Sequence, residues 1–115
     1  SEVKAFGTRT ELRYLGLLVK VAQSYIPSRE AENKYGLSRV YLADLDSGIA
    51  LNSDLDGLVK LAADGFLMDH GDIEVPMGTG SIWLQKRVYT LSSAGERVIN
   101  EALNTYRGLV PRNRG

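Results

Sequence analysis

The 115-residue chain has no cysteine and a single histidine, His70. The first absence excludes disulfides, thiolate metal sites and a cysteine nucleophile, and the second excludes any site built on a histidine pair. Two methionines are too few for a cofactor box. No apolar run approaches the roughly 20 residues of a membrane span, and the opening "SEVKAFGTRTEL" has no signal-peptide core. A cytoplasmic setting without membrane contact is therefore expected. Nor is there an excess of one charge, since 14 Lys and Arg balance 14 Asp and Glu. Composition alone gives no sign of nucleic acid.

What the chain does contain is 43% hydrophobic and 24% charged residues, enough for a buried core. One domain over 1–107 is expected, followed by a flexible, basic C-terminal tail, "GLVPRNRG", over 108–115. The charges are unevenly spread. Residues 1–40 hold 7 basic and 4 acidic side chains, 41–72 hold 1 and 7, and 73–115 hold 6 and 3. A polarised surface follows if the fold keeps these segments apart.

Periodicity orders the elements. "TRTELRYLGLLVKVAQSYIP" predicts a long helix opened by a Thr8/Glu11 capping box, with Leu12, Leu15, Val19 and Ala22 on one stripe. Leu18, Val21 and Tyr25 widen the stripe, and Pro27 ends the helix. "SREAENKYG" (28–36) is a short helix from Ser28 to Gly36 or a connection. "LSRVYLADLD" (37–46) predicts a second helix, because strict alternation fails across Val40–Leu42, and "SGIALN" predicts a turn. The third helix spans 53–64, with Ser53 as N-cap, Asp54 and Asp56 in the first turn, and Leu55, Leu58, Val59 and Ala62 buried. Gly65 suits its left-handed exit. "FLMDHGDIEV" and "GSIWLQKRVYTL" read as strands joined by "PMGTG". A last helix follows a Ser93/Glu96 capping box, with Val98, Ile99, Ala102, Leu103 and Tyr106 apolar.

The fold class expected is α+β, mostly α: a winged helix-turn-helix with a two-stranded wing and a C-terminal helix. "YLADLDSGIALNSDLDGLVKLAADGFL" and "RVYTLSSAGERVINEAL" resemble the turn region and the post-wing segment of MarR- and PadR-type regulators, over about 41–103. The resemblance implies a dimeric, sequence-specific DNA-binding transcriptional regulator. In that pattern the start of the third helix faces the major groove. It places Ser53, Asp54, Asp56, Gly57 and Lys60 there, with Leu61 and Asp64 on the same side. The basic support for double-stranded DNA would come from Lys86 and Arg87 on the wing and from Lys34 and Arg39 near the second helix. Thr79, Ser81 and the amides of Gly78 and Gly80 would hold phosphates at the wing tip. The resemblance also implies a homodimer interface on the first and last helices, made by Leu12, Leu15, Val98, Ala102 and Tyr106.

One feature of charge opposes this reading. The third helix offers Asp54, Asp56 and Asp64 against Lys60, and phosphate repels carboxylates. The alternative is a winged-helix protein–protein interaction module, adaptor- or antitoxin-like, docking a basic partner through that acidic helix. A looser resemblance to antitoxins of the Panacea group points the same way, through the "YLAD" stretch and an L..L...G.L spacing. Trp83 reads as a covered core aromatic or as an interface residue. His70 has no nucleophile or second base at a defined spacing, "GTG" (78–80) lacks the Lys-Ser/Thr of a phosphate loop, and "DLDSG" lacks a calcium loop's glutamate. No enzyme activity, cofactor or metal is expected.

Overall fold

The computed structural model describes residues 9–45, 53–79 and 81–109. Its elements run α1 (Arg9–Gln23), β1 (Ile26–Pro27), α2 (Arg29–Tyr35), β2 (Arg39–Asp44), α3 (Ser53–Ala63), β3 (Leu67–Met77), β4 (Ile82–Leu91) and α4 (Ser93–Leu109). The four strands form one antiparallel sheet in the order β1-β2-β4-β3. The domain is thus a small α+β unit in which helices cover both faces of a sheet.

The expected helix over 37–46 is strand β2, which pairs Tyr41 with Tyr89 and Asp44 with Lys86. Alternation fails here for a physical reason. Successive strand residues point to opposite faces, and both faces are covered. Val40 packs with Ala31 of α2, Ile73 and Val88, while Ala43 packs with Leu17, Leu18, Leu58 and Tyr89. A strand buried on both sides reads as an apolar run, which periodicity cannot separate from a helix. The turn expected at "SGIALN" and the Thr8/Glu11 capping box fall outside the described residues or side chains.

α1 buries Leu18 and Val21 of the expected face together with Leu17 from outside it, while Leu15 is half-buried against the same core and Ala22 is half-buried. It ends at Gln23, and Ile26–Pro27 adds a short strand beside Val40 and Arg39. α2 is the capped helix that its ends suggest. The Ser28 hydroxyl accepts from the Ala31 amide at 3.1 Å, and Gly36 leaves in the left-handed region at φ 73°. α3 buries Leu58 and Leu61 at 1% exposure, whereas Val59 is 48% exposed, so the inward face is turned from the expected one. The reason is Gly57, whose missing side chain lets Leu17 of α1 lie directly against the α3 backbone. α4 is capped by Ser92, not Ser93. Its hydroxyl accepts from the Gly95 amide at 3.1 Å and donates to the Gly65 carbonyl at 2.6 Å. The helix runs through Leu109, beyond the expected start of the tail at 108; residues 110–115 lie outside the described ones.

In β3 a bulge changes which face each residue serves. Asp69 lies opposite Tyr89 and Gly71 opposite Val88, leaving His70 as the extra residue. Leu67 therefore joins the core under α1 and α3, while Ile73 joins the one under α2. Gly71, at φ 102°, is needed for a second reason: a Cβ there would lie 2.7 Å from the Tyr35 hydroxyl. That hydroxyl and the Lys34 ammonium both donate to the Asp72 carbonyl, at 3.0 and 2.8 Å. Two α2 side chains thus satisfy one carbonyl of the open sheet edge.

Candidate docking surface

Alternation along β4 decides the wing. Lys86 lies opposite Ile73 and Arg87 opposite Asp72, so the two cations leave the hairpin on opposite faces. Lys86 points to the α2 side and pairs with Asp44. Arg87 points to the α1/α3 side, where its Nε and Nη2 donate to Asp69 at 2.9 and 2.7 Å; Asp72 lies 3.5 Å from Nη1. The expected cationic pair is two separate, carboxylate-bound charges. Lys34 is turned to the β3 edge, and Arg39 is exposed on β2 beside Pro27.

The α3 residues are placed differently from one another. Asp54 takes an ammonium hydrogen bond from Lys20 of α1 at 2.9 Å, and Lys60 pairs with Asp64 at 3.0 Å. The bond to Asp54 raises the Lys20 ammonium above its ordinary value, with the Tyr41 hydroxyl adding and burial opposing. Asp56 is exposed, Gly57 faces α1, and Leu61 is in the core, so the last two are not surface residues. The Ser53 side chain lies outside the described ones. Thr79 and Ser81 are exposed at the hairpin turn, while Gly80 between them is not described.

The surface made by α3 and this side of the hairpin carries Asp54, Asp56, Asp64, Asp69, Asp72 and Glu74. Against these six stand Lys20, Lys60, Arg87, Lys34 beside Asp72 and Glu74, and Arg13 packed over Tyr14 beside Gly57, for a formal −1. The outer half of the hairpin is bare. Met77 is 54% exposed, Ile82 58% and Trp83 54%, and the expectation of a core Trp83 is corrected. Alternation puts Ile82 and its partner Met77 on the Lys86 face and Trp83 on the Arg87 face, so of the three only Trp83 belongs to the acidic side of the hairpin.

Asp69 anchors the arrangement. Partial burial pushes its carboxyl up, but the Arg87 hydrogen bonds, the Gly71 amide at 2.9 Å and the Arg87 and His70 charges outweigh it, and the net shift is downward. A carboxyl more acidic folded than unfolded stabilises fully above its unfolded value, about 4. The contribution disappears as pH falls through the lower folded value. Urea unfolding from pH 7 to 2 should therefore show a steeper loss below about pH 4 in the parent chain than in Asp69→Asn. Equal acid limbs would assign that loss to other carboxylates.

Of the expected dimer residues, Val98 is 3% exposed and belongs to the domain's own core, so it is not available to a second copy. Leu15 is half-buried against that core and Ala102 half-buried on α4; the Leu12 and Tyr106 side chains are not among those described. Sequence reasoning missed Asp44, Asp69 and Asp72 as partners of the wing cations. It also missed Glu74 and Gln85, which share the Trp83 face. The alternation of β4 carried part of this signal, but the partners on β3 depend on a bulge that the sequence does not mark.

Among the described residues, no helix is long and apolar enough to cross a membrane and no group of His, Asp and Glu is arranged to hold a metal ion. No protein-family model, curated protein or solved structure is significantly similar to the chain.

Proposed function

We propose that the chain is a winged-helix-type interaction module that docks a basic polypeptide on α3 and the hairpin. The strand order β2-β4-β3, with α3 ahead of the hairpin, is what the winged-helix reading rests on, whereas "YLAD" lies in β2 and does not form the helix before the turn that the MarR/PadR resemblance implies. The observation that carries docking over DNA binding is the splitting of Lys86 and Arg87 onto opposite faces, each already bound by carboxylate. Phosphate binding needs a continuous track of cations free to displace counterions. This surface offers a formal −1 and an exposed Trp83 instead, which suits a partner with basic and apolar side chains. A second copy meeting on α1 and α4 remains part of the proposal, through Leu15, Ala102 and the exposed Leu103.

Two probes separate the readings by fluorescence anisotropy: a labelled 15-residue peptide rich in Arg and Leu, and a mixed-sequence 30-base-pair duplex. The peptide should bind in a salt-sensitive way. Asp54→Asn with Asp56→Asn should weaken it about fivefold or more, since two carboxylates at up to about 1 kcal/mol each are removed. The duplex should not bind at 0.15 M salt with a Kd below about 1 µM, the tight end of the usual nonspecific range. Duplex binding that falls, with its salt slope, on replacing Lys86 and Arg87 by Ala would restore the DNA regulator and end the docking proposal.

A further inference from the structure

We infer that the recess beside Trp83 receives an arginine side chain of the docked partner; the inference rests on the docking reading above. The recess has a volume of about 510 Å³ and lies where α2 meets the β3 edge, lined by Lys34, Asp72, Ile73, Glu74, Trp83 and Gln85. Trp83, the chain's one tryptophan, presents an indole 54% exposed. Glu74 and Gln85 are direct cross-strand partners, and Trp83 follows on the same face of β4.

Glu74 differs from the other carboxylates of the sheet. Asp44 is paired with Lys86, and Asp69 and Asp72 with Arg87. Glu74 has no cation among the described residues; its Oε1 accepts only a neutral amide hydrogen bond, from Gln85 at 3.2 Å. That bond orients the carboxylate and leaves its charge uncompensated. Lys34 enters the recess, yet its ammonium is 2.8 Å from the Asp72 carbonyl and 5.4 Å from the Tyr35 ring centre. It serves the sheet edge and the Tyr35 face.

An oriented carboxylate beside an open indole matches a guanidinium on both counts. The planar cation stacks on the ring and donates a fork of hydrogen bonds to the carboxylate. An ammonium satisfies the charge but not the stacking or the fork. Citrulline keeps the planar shape and loses the charge.

The experiment uses the full chain and the labelled peptide in Arg, Lys and citrulline forms. The Arg form should shift Trp83 emission on binding, and the citrulline form should bind about tenfold more weakly. Trp83→Ala should cost about fivefold and Trp83→Phe less, since the ring face is kept. Glu74→Gln should cost about threefold. Trp83 is exposed, so neither replacement endangers folding. If Trp83→Ala binds the Arg peptide as the parent does while Asp54→Asn with Asp56→Asn loses it, the recess assignment fails and docking stands. If the parent chain binds no form of the peptide, docking fails and takes the recess with it. An emission shift given by oligothymidylate but not by the peptide would replace the guanidinium with a stacked base.

Discussion

Replacing Tyr89 by alanine should lower stability by about 3–5 kcal/mol, whereas Tyr89→Phe should leave it unchanged or raise it. The ring has no solvent exposure and sits between α1, α3 and the sheet, among Leu17, Leu18, Leu58 and Ala43. Truncation opens a cavity bordered by α1, α3 and the sheet, which cannot close without moving a helix. The hydroxyl is another matter. It is buried without a hydrogen-bond partner. Burial pushes the phenol above its ordinary value and the Asp69 carboxylate pushes the same way, while the neighbouring Arg87 guanidinium pulls it down through its charge and as a donor facing the hydroxyl outside regular hydrogen-bond geometry. An unmatched buried hydroxyl costs free energy, so removing it alone relieves that cost. Denaturant unfolding followed by circular dichroism measures both variants. A loss above about 1.5 kcal/mol in Tyr89→Phe would reveal a partner for the hydroxyl, such as an enclosed water.

Gly95→Ala should destabilise the domain by about 2–3 kcal/mol, although alanine is the better helix former. A Cβ at Gly95 would run into the Phe66 carbonyl oxygen and come within 2.9 Å of Leu91 Cδ1. The carbonyl is backbone, fixed by the Ser92 amide donating to it at 3.2 Å, so the clash is relieved only by shifting α4. Helix propensity returns about 1 kcal/mol, less than the overpacking costs. Gly16 supplies the control. It lies inside α1 with nothing near the site of a Cβ, so Gly16→Ala should stabilise by about 0.5–1 kcal/mol. Opposite signs in thermal unfolding establish close approach as the reason for Gly95. Equal signs would remove it.

The fold was legible where a segment has one wet side. α3 and α4 carry helical spacing, the β3–β4 hairpin carries its turn residues, and Ser28 with Gly36 bracket α2 in the expected way. β2 was not legible, because covering both of its faces erased the alternation that distinguishes strand from helix. Val59 and Leu61 exchanged places for a reason lying in another element: Leu17 needs the space that Gly57 leaves. The candidate surface was half legible. Asp56 and the exposed hairpin turn are where the charge pattern and turn signals put them, but Lys86 and Arg87 are adjacent in sequence and opposed in space.

By itself the order of residues determined the chemistry this chain is denied, the existence of most elements, and an acidic middle flanked by basic ends. Those properties depend on side-chain identity and local spacing, which need no partner strand. Only the tertiary structure decided that the wing cations are held by Asp44, Asp69 and Asp72, and that Trp83 stands uncovered beside Glu74. Charge neutralisation and exposure depend on which strands lie side by side, and one extra residue at His70 sets that pairing.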